Sequence, residues 1–340
     1  MTLADDYFKF TKKYRASHGE KTLVLMQVGS FFECYAMLKP DGSYEGSHIQ
    51  EFAAINDMII AKKNVCVGDY SLVMAGFGLG QLDKYVKKML HHGYTIVVYT
   101  QDNQAKNTTR SLACIYSPGT YFNTNDSLDC INDENNFNSG LSNNTISIWL
   151  HYSNANSIIK ESTLTVGLSV IDILTGKLKI YEYQHPYINN PTTYDQLEKY
   201  IAIYNPSEVI IIANSNTDKF IEQAISFANI NAQKIHKIYL QEGKSEKNMA
   251  DFERIATNCE KQRFQETLID KIYGIGSFQE KMEFYNYSIA NQSLCFLLDF
   301  IETHNPSLIR NIDYPVFENH ADKLLLANHS LKQLNTIKYN

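Results

Sequence analysis

The chain has 340 residues, 44% hydrophobic and 20% charged, with a net charge of −6. That length accommodates two or three domains, each with its own core, and the composition is ordinary for a globular protein. It holds no unbroken apolar run of roughly 18 residues, which argues against a membrane-spanning helix. Met1 to Phe10, with Asp5 and Asp6 and no apolar h-region, argues against a secretory leader.

The charge is unevenly spread. Residues 1–117 carry 13 Lys/Arg against 11 Asp/Glu, residues 118–145 carry none against four, and residues 146–340 carry 18 against 22. Only the first block leans positive, so any non-specific grip on nucleic acid from this chain is modest. Six cysteines, Cys34, Cys66, Cys114, Cys130, Cys259 and Cys295, include no C-x-x-C pair. The spacing predicts reduced thiols in an intracellular compartment rather than a disulfide framework or zinc finger. Whether that compartment is cytoplasm, nucleus, organelle or viral factory stays open.

In chain order, Asp5 to Ser17 suits a helix. Thr22 to Tyr35 (TLVLMQVGSFFECY) suits one buried strand with an irregularity at Gly29. Ser71 to Ala75 is a second strand. Gln81 to His92 is an amphipathic helix, with Leu82, Tyr85, Val86, Met89 and Leu90 on one stripe and Gly93 as its stop. Thr95 to Tyr99 is a β-branched strand. Thr120 to Thr145, rich in Asn, Asp and Ser, reads as a linker. Ser147 to Tyr152 is a strand, and Leu164 to Tyr183 a hairpin turning at Thr175-Gly176. Tyr194 to Tyr204 is a helix stopped by Pro206, and Val209 to Ala213 a short apolar strand. From Lys281 onward the pattern turns helical, and Leu294, Leu297, Leu298 and Ile301 share a stripe before Pro306. The class is α/β with mixed sheets, then an all-α region.

Few motifs carry chemistry. Gly76, Gly78 and Gly80 (GFGLG) sit between a strand and a helix, as in a dinucleotide-binding turn. The third glycine of that fingerprint falls on Gln81, so a tight turn is the simpler reading. Gly243-Lys244-Ser245 lacks the earlier glycine and the strand–helix context of a phosphate loop. His91 and His92 point apart on a helix and suit its C-terminus better than a metal. Lys84, Lys87 and Lys88 read as a solvated face. No paired carboxylates, nucleophile elbow or metal cluster stands out, so this chain by itself is expected to be no enzyme and to hold no cofactor or metal.

Several stretches in a fixed order resemble the front of MutS proteins, the DNA mismatch-repair family. Val24 to Tyr35 is similar to the family's strand ending in Gly-Asp-Phe-Tyr-Glu. Val73 to Gln101 is similar to its Met-Ala-Gly turn, the helix after it and the strand closing on Gln. Ser117-Pro118-Gly119-Thr120 resembles Thr-Pro-Gly-Thr. Further on, Leu164 to Leu178, Asn205-Pro206-Ser207-Glu208 and Asn328 to Ile337 resemble successive connector and lever segments. Ser30, Gly78 and Cys34 depart from the usual Asp, Pro and aliphatic, which suggests a divergent branch, from a giant virus or organelle genome.

The resemblance implies a mismatch-binding domain over residues 1–118, a linker over 119–144, an RNase-H-like α/β connector over 145–276 and the start of a helical lever over 277–340. It implies that Phe31 enters the minor groove at a mispair and that Glu33 contacts the displaced base. Phe32, between them, points into the core. Gly29, Met74 and Gly76 are implied as structural turn residues near the DNA. The expected partners are double-stranded DNA with mismatches or small loops, a second subunit, and a downstream repair factor met through the connector. ATP and Mg would belong to a P-loop ATPase domain of the full-length protein, of which this chain is a fragment, or to a separately encoded one. Two rival readings stand beside this: a relative acting on branched or recombination DNA without mismatch sensing, and a nucleotide-binding enzyme using the Gly76-Gly78-Gly80 turn. The Phe-x-Glu tripeptide alone decides nothing. It occurs five times, at Phe31, Phe220, Phe264, Phe278 and Phe300.

Overall fold

The structure, a computed structural model, describes residues 3–101, 109–121, 144–155, 161–214, 218–241, 243 and 249–318. Most of the expected linker, the Asn328–Ile337 segment and the Lys244-Ser245 pair lie outside the described residues. The chain divides into two compact units between Leu141 and Ser142, the short segment Thr303–Asn305 grouping with the first.

The first unit opens with helix α1 (Leu3–His18) and strands β1 (Thr22–Val28), β2 (Phe31–Leu38) and β3 (Tyr44–Glu45). Helix α2 (Ile49–Asn56), strands β4 (Ala61–Val67) and β5 (Tyr70–Gly78), helix α3 (Leu82–His91) and strands β6 (Thr95–Gln101) and β7 (Arg110–Tyr116) follow. The sheet runs β4-β5-β2-β1-β6-β7, with β3 paired to β2. β1 and β6 are parallel and the other pairs antiparallel, so the sheet is mixed, as expected.

The run Thr22–Tyr35 is a hairpin rather than the single strand expected. Val28 pairs with Phe31 across Gly29-Ser30, and Gly29 has φ +58°. A glycine with positive φ at the first position of a two-residue turn matches the right-handed twist of the flanking strands. Both strands are apolar because both are central and covered: Leu23 to Met26 and Phe32 to Ala36 are buried. That continuous apolar run hid the reversal.

Aromatic residues bind the helices to this sheet. Phe10 of α1 stacks on Tyr99 at 4.4 Å, Tyr14 shares a 2.9 Å hydroxyl hydrogen bond with Tyr99, and Tyr7 meets Tyr35 edge-on at 5.2 Å. Phe77 of β5 touches Phe32, Phe52 of α2 and Tyr85 of α3. Ser117 to Thr120 closes the unit as a buried turn. The Ser117 and Thr120 hydroxyls lie 2.7 Å apart, and Thr120 N–H donates to Ser117 C=O.

In the second unit, β8 (Asn144–Ser153), β9 (Thr163–Asp172) and β10 (Leu178–Pro186) form an antiparallel meander. The β9–β10 turn falls at Thr175-Gly176, as the alternation predicts. Helix α4 (Asp195–Tyr204) leads to β11 (Glu208–Ala213), and helix α5 (Asp218–Phe227) to β12 (Lys234–Tyr239). β8, β11 and β12 are parallel, and a short β13 (Val316–Phe317) joins β10, giving the order β12-β11-β8-β9-β10-β13. All six residues of β11 are buried, which an unbroken apolar strand requires when both faces are covered. After α6 (Asp251–Cys259), α7 (Gln262–Tyr273) and the short α8 (Glu283–Asn286), helix α9 (Ser288–His304) lies against this sheet. Its Leu294, Leu297, Leu298 and Ile301 are buried, and its Ser293 hydroxyl donates to Ser147 C=O at 2.8 Å.

Candidate nucleic-acid interface

The β1–β2 turn places Phe31 at the first position of β2, 53% exposed. Alternation along a strand then sets Phe32 on the opposite face. Phe32 is buried against Phe77, as the sequence predicts. The other four Phe-x-Glu phenylalanines differ from Phe31. Phe220, Phe278 and Phe300 are buried and Phe264 is partly so. A large apolar ring held half in water at a turn leaves apolar area whose burial elsewhere would be favourable.

The turn is braced by two glutamines. Gly29 N–H donates to Gln101 Oε1 at 2.9 Å, Gln101 N–H donates to Gln27 Oε1 at 2.9 Å, and Gln27 Nε2 donates to Gly29 C=O at 3.2 Å. Arg110 Nε donates to Gln27 C=O at 2.8 Å, and Leu79 N–H donates to Ser30 C=O at 3.1 Å. The backbone groups that a tight turn leaves unpaired are thus used to fix it to β6, β7 and the end of β5. Sequence reading missed Gln27, Gln101 and Arg110, because residues that meet through backbone geometry leave no spacing signal.

Glu33 sits two residues beyond Phe31 on the same strand face, yet it is only 5% exposed. Its Oε2 accepts from Lys63 Nζ at 2.7 Å and from the Tyr35 hydroxyl. Lys63 also lies 5.4 Å from the Tyr35 ring centre. Burial, and then the neighbouring Glu33 carboxylate, hold the Tyr35 hydroxyl far above its ordinary pKa, so it stays a donor. Gly76 pairs opposite Glu33, and a Cβ there would lie 2.7 Å from Phe32 C=O and 3.2 Å from Glu33 Cγ. Glycine is therefore required for close approach. Met74 pairs opposite Tyr35. Phe31, Glu33, Gly29, Met74 and Gly76 thus converge on adjoining parts of β1, β2 and β5, and Lys63 of β4 joins them unanticipated.

The glycine turn behaves as a strand-to-helix junction. Gly78 is extended (φ −67°), and a Cβ at Gly78 or Gly80 would meet nothing within 4 Å. His92 Nδ1 lies 2.9 Å from Lys88 C=O at the end of α3, while burial and Lys87 depress the His91 pKa. In the second unit, a cleft of about 400 Å³ is lined by His151, Thr165, Glu182, Gln184 and Ser288. The Glu182 carboxylate there caps the start of α9, accepting from Ala290 N–H at 2.8 Å. Among the described residues no group of three or more His, Cys, Asp or Glu could hold a metal ion, and no helix is long and apolar enough to cross a membrane.

Residues 6–125 match the family model of MutS domain I. Over 354 aligned residues the chain is 26% identical to a protein of Acanthamoeba polyphaga mimivirus described as a putative DNA mismatch repair protein mutS homolog. That alignment takes in 100% of this chain and 30% of the viral protein. The chain therefore spans about 30% of the length of this relative.

Proposed function

We propose that the chain is a divergent member of the MutS family and that its first unit recognises mismatched duplex DNA, with Phe31 as the minor-groove wedge and Glu33 as the contact to the displaced base. The observation that carries this reading is the exposure of Phe31, alone among the five Phe-x-Glu phenylalanines, on a braced turn. Its energetics suit a mismatch sensor. Burying a whole Phe side chain contributes about 1.5–3 kcal/mol, so the half of Phe31 still exposed offers about half of that. Opening a stacked base step costs a few kcal/mol. Insertion at a matched step is then unfavourable. A mispair has already lost part of its stacking and pairing, which brings insertion near balance. Selectivity follows from deformability, and Glu33 adds a hydrogen bond that only a displaced base completes.

Residues 145–276 are read as the RNase-H-like connector. The order β12-β11-β8-β9-β10, with an antiparallel meander beside three parallel strands, supports that reading. The chain itself is read as a binding element without catalysis. ATP and Mg, a dimer partner and a downstream repair factor are assigned to the whole protein.

The test is binding of the wild type and Phe31→Ala to matched duplex and to the same duplex with one G·T mispair. Loss of the wedge should reduce the mismatch-to-matched affinity ratio by about tenfold, equivalent to about 1.4 kcal/mol. An unchanged ratio would refute the wedge. A protein that prefers branched junctions to both duplexes would point to the recombination reading instead.

A further inference from the structure

We propose that Lys63 is the positioning residue of the base contact: it holds Glu33 Oε2 from across the sheet and leaves Oε1 as the acceptor for a displaced base. The inference rests on the reading of Phe31 and Glu33 given above.

Four observations carry it. Both polar contacts of the Glu33 carboxylate fall on Oε2, from Lys63 Nζ at 2.7 Å and from the Tyr35 hydroxyl, while Oε1 accepts no hydrogen bond among the described residues. Lys63 lies on β4 and Glu33 on β2, with β5 between them. The β5 residue directly opposite Glu33 is Gly76, which places no side chain beside the carboxylate. Lastly, the β4–β5 register shifts between Lys62 and Cys66, which removes Lys63 from the regular ladder and lets it turn toward the carboxylate.

The pairing alters how Glu33 meets DNA. A lone buried carboxylate would be repelled by every phosphate nearby and would lack a fixed rotamer. Paired with Lys63, it is close to neutral as a unit and has one oxygen pinned. Phosphate repulsion then contributes little, and what distinguishes a mispair is whether a base N–H reaches Oε1. Lys63 thereby converts a repulsive charge into a directional acceptor.

A Lys63 that only attracted phosphates would behave differently, and the two roles separate in one experiment on the intact chain. Affinities for matched and G·T duplexes are measured for the wild type, Lys63→Met, Lys63→Arg, Glu33→Gln and the double variant Lys63→Met/Glu33→Gln, with thermal melts of each. Positioning predicts that Lys63→Met lowers the mismatch-to-matched ratio about tenfold, the scale of one hydrogen bond to a charged group. Lys63→Arg should restore most of it. In the Glu33→Gln background, Lys63→Met should leave the ratio unchanged. Equal weakening on both duplexes, with the ratio intact in the Glu33 background, would overturn the inference and leave Lys63 a phosphate contact. If Lys63→Met melts early through its unpaired carboxylate, the double variant, which carries no buried charge, supplies the folded comparison. Phe31→Ala in the same series keeps the two claims apart. An intact ratio there refutes the wedge, whereas a collapsed ratio there with an intact Lys63→Met ratio refutes only the role of Lys63.

Discussion

Replacing Gly76 with alanine tests the packing around Glu33 with one methyl group. The new Cβ would lie 2.7 Å from Phe32 C=O and 3.2 Å from Glu33 Cγ. The first contact is with backbone in the middle of the sheet and cannot swing away, so β2 and β5 must separate locally. Overpacking of this kind costs about 1–3 kcal/mol. Alanine recovers about 0.5–1 kcal/mol through the smaller conformational entropy of the unfolded chain. The net loss is about 0–2.5 kcal/mol, centred near 1. Gly78→Ala is the matched control. It lies two residues along the same strand, with extended backbone and nothing within 4 Å of its Cβ. It should be neutral or stabilising by up to about 1 kcal/mol. Urea titration followed by far-UV circular dichroism measures both, and the midpoint should fall for Gly76→Ala at unchanged slope. Equal midpoints for the two variants would refute the close-approach argument. Because the second contact is Glu33 Cγ, Gly76→Ala should also narrow mismatch discrimination.

Gln101→Ala removes the acceptor for Gly29 N–H and should cost about 0.5–1.5 kcal/mol, the range for a partly exposed hydrogen bond. The freed turn should also lower the mismatch-to-matched ratio while leaving matched-duplex affinity within about twofold, the scale of a few tenths of a kcal/mol. Asp299 of α9 has its pKa raised to about 6, chiefly by burial and then by Glu302, against the lowering effect of Lys271. The folded state therefore binds a proton more tightly than the unfolded chain does. Its stabilising contribution is complete below the unfolded value near 4 and is lost as pH rises through about 6. Asp299→Asn should flatten stability between about pH 4 and 6 and raise it at pH 7, by on the order of 3 kcal/mol. Parallel pH dependence in the variant and the wild type would refute that assignment.

Much of the fold was legible in the residues. Helix α3 shows its stripe and its stopping glycine, and the β9–β10 hairpin announces its turn. β11 shows the unbroken apolar run of a strand covered on both faces. Helix α2 carries a legible stripe too: Ile49, Phe52, Ala53 and Asn56 fall at i, i+3, i+4 and i+7, and all are buried. The β1–β2 reversal was not legible as a turn, because two central strands in sequence read as one buried strand.

For the candidate site the division is physical. Sequence determined where Phe31 and Glu33 lie within an ordered series of motifs, since that order is one-dimensional information. It also predicted the inward aim of Phe32, which strand alternation alone decides. It did not distinguish Phe31 from the other four phenylalanines of the same tripeptide, because exposure depends on what packs from elsewhere in the chain. Nor could it pair Glu33 with Lys63, 30 residues away, or Gly29 with Gln101, 72 residues away. Those contacts exist only because β2 is flanked by β5 and then β4, and β1 by β6. Strand order and a register shift bring them together, and neither is encoded at any local spacing.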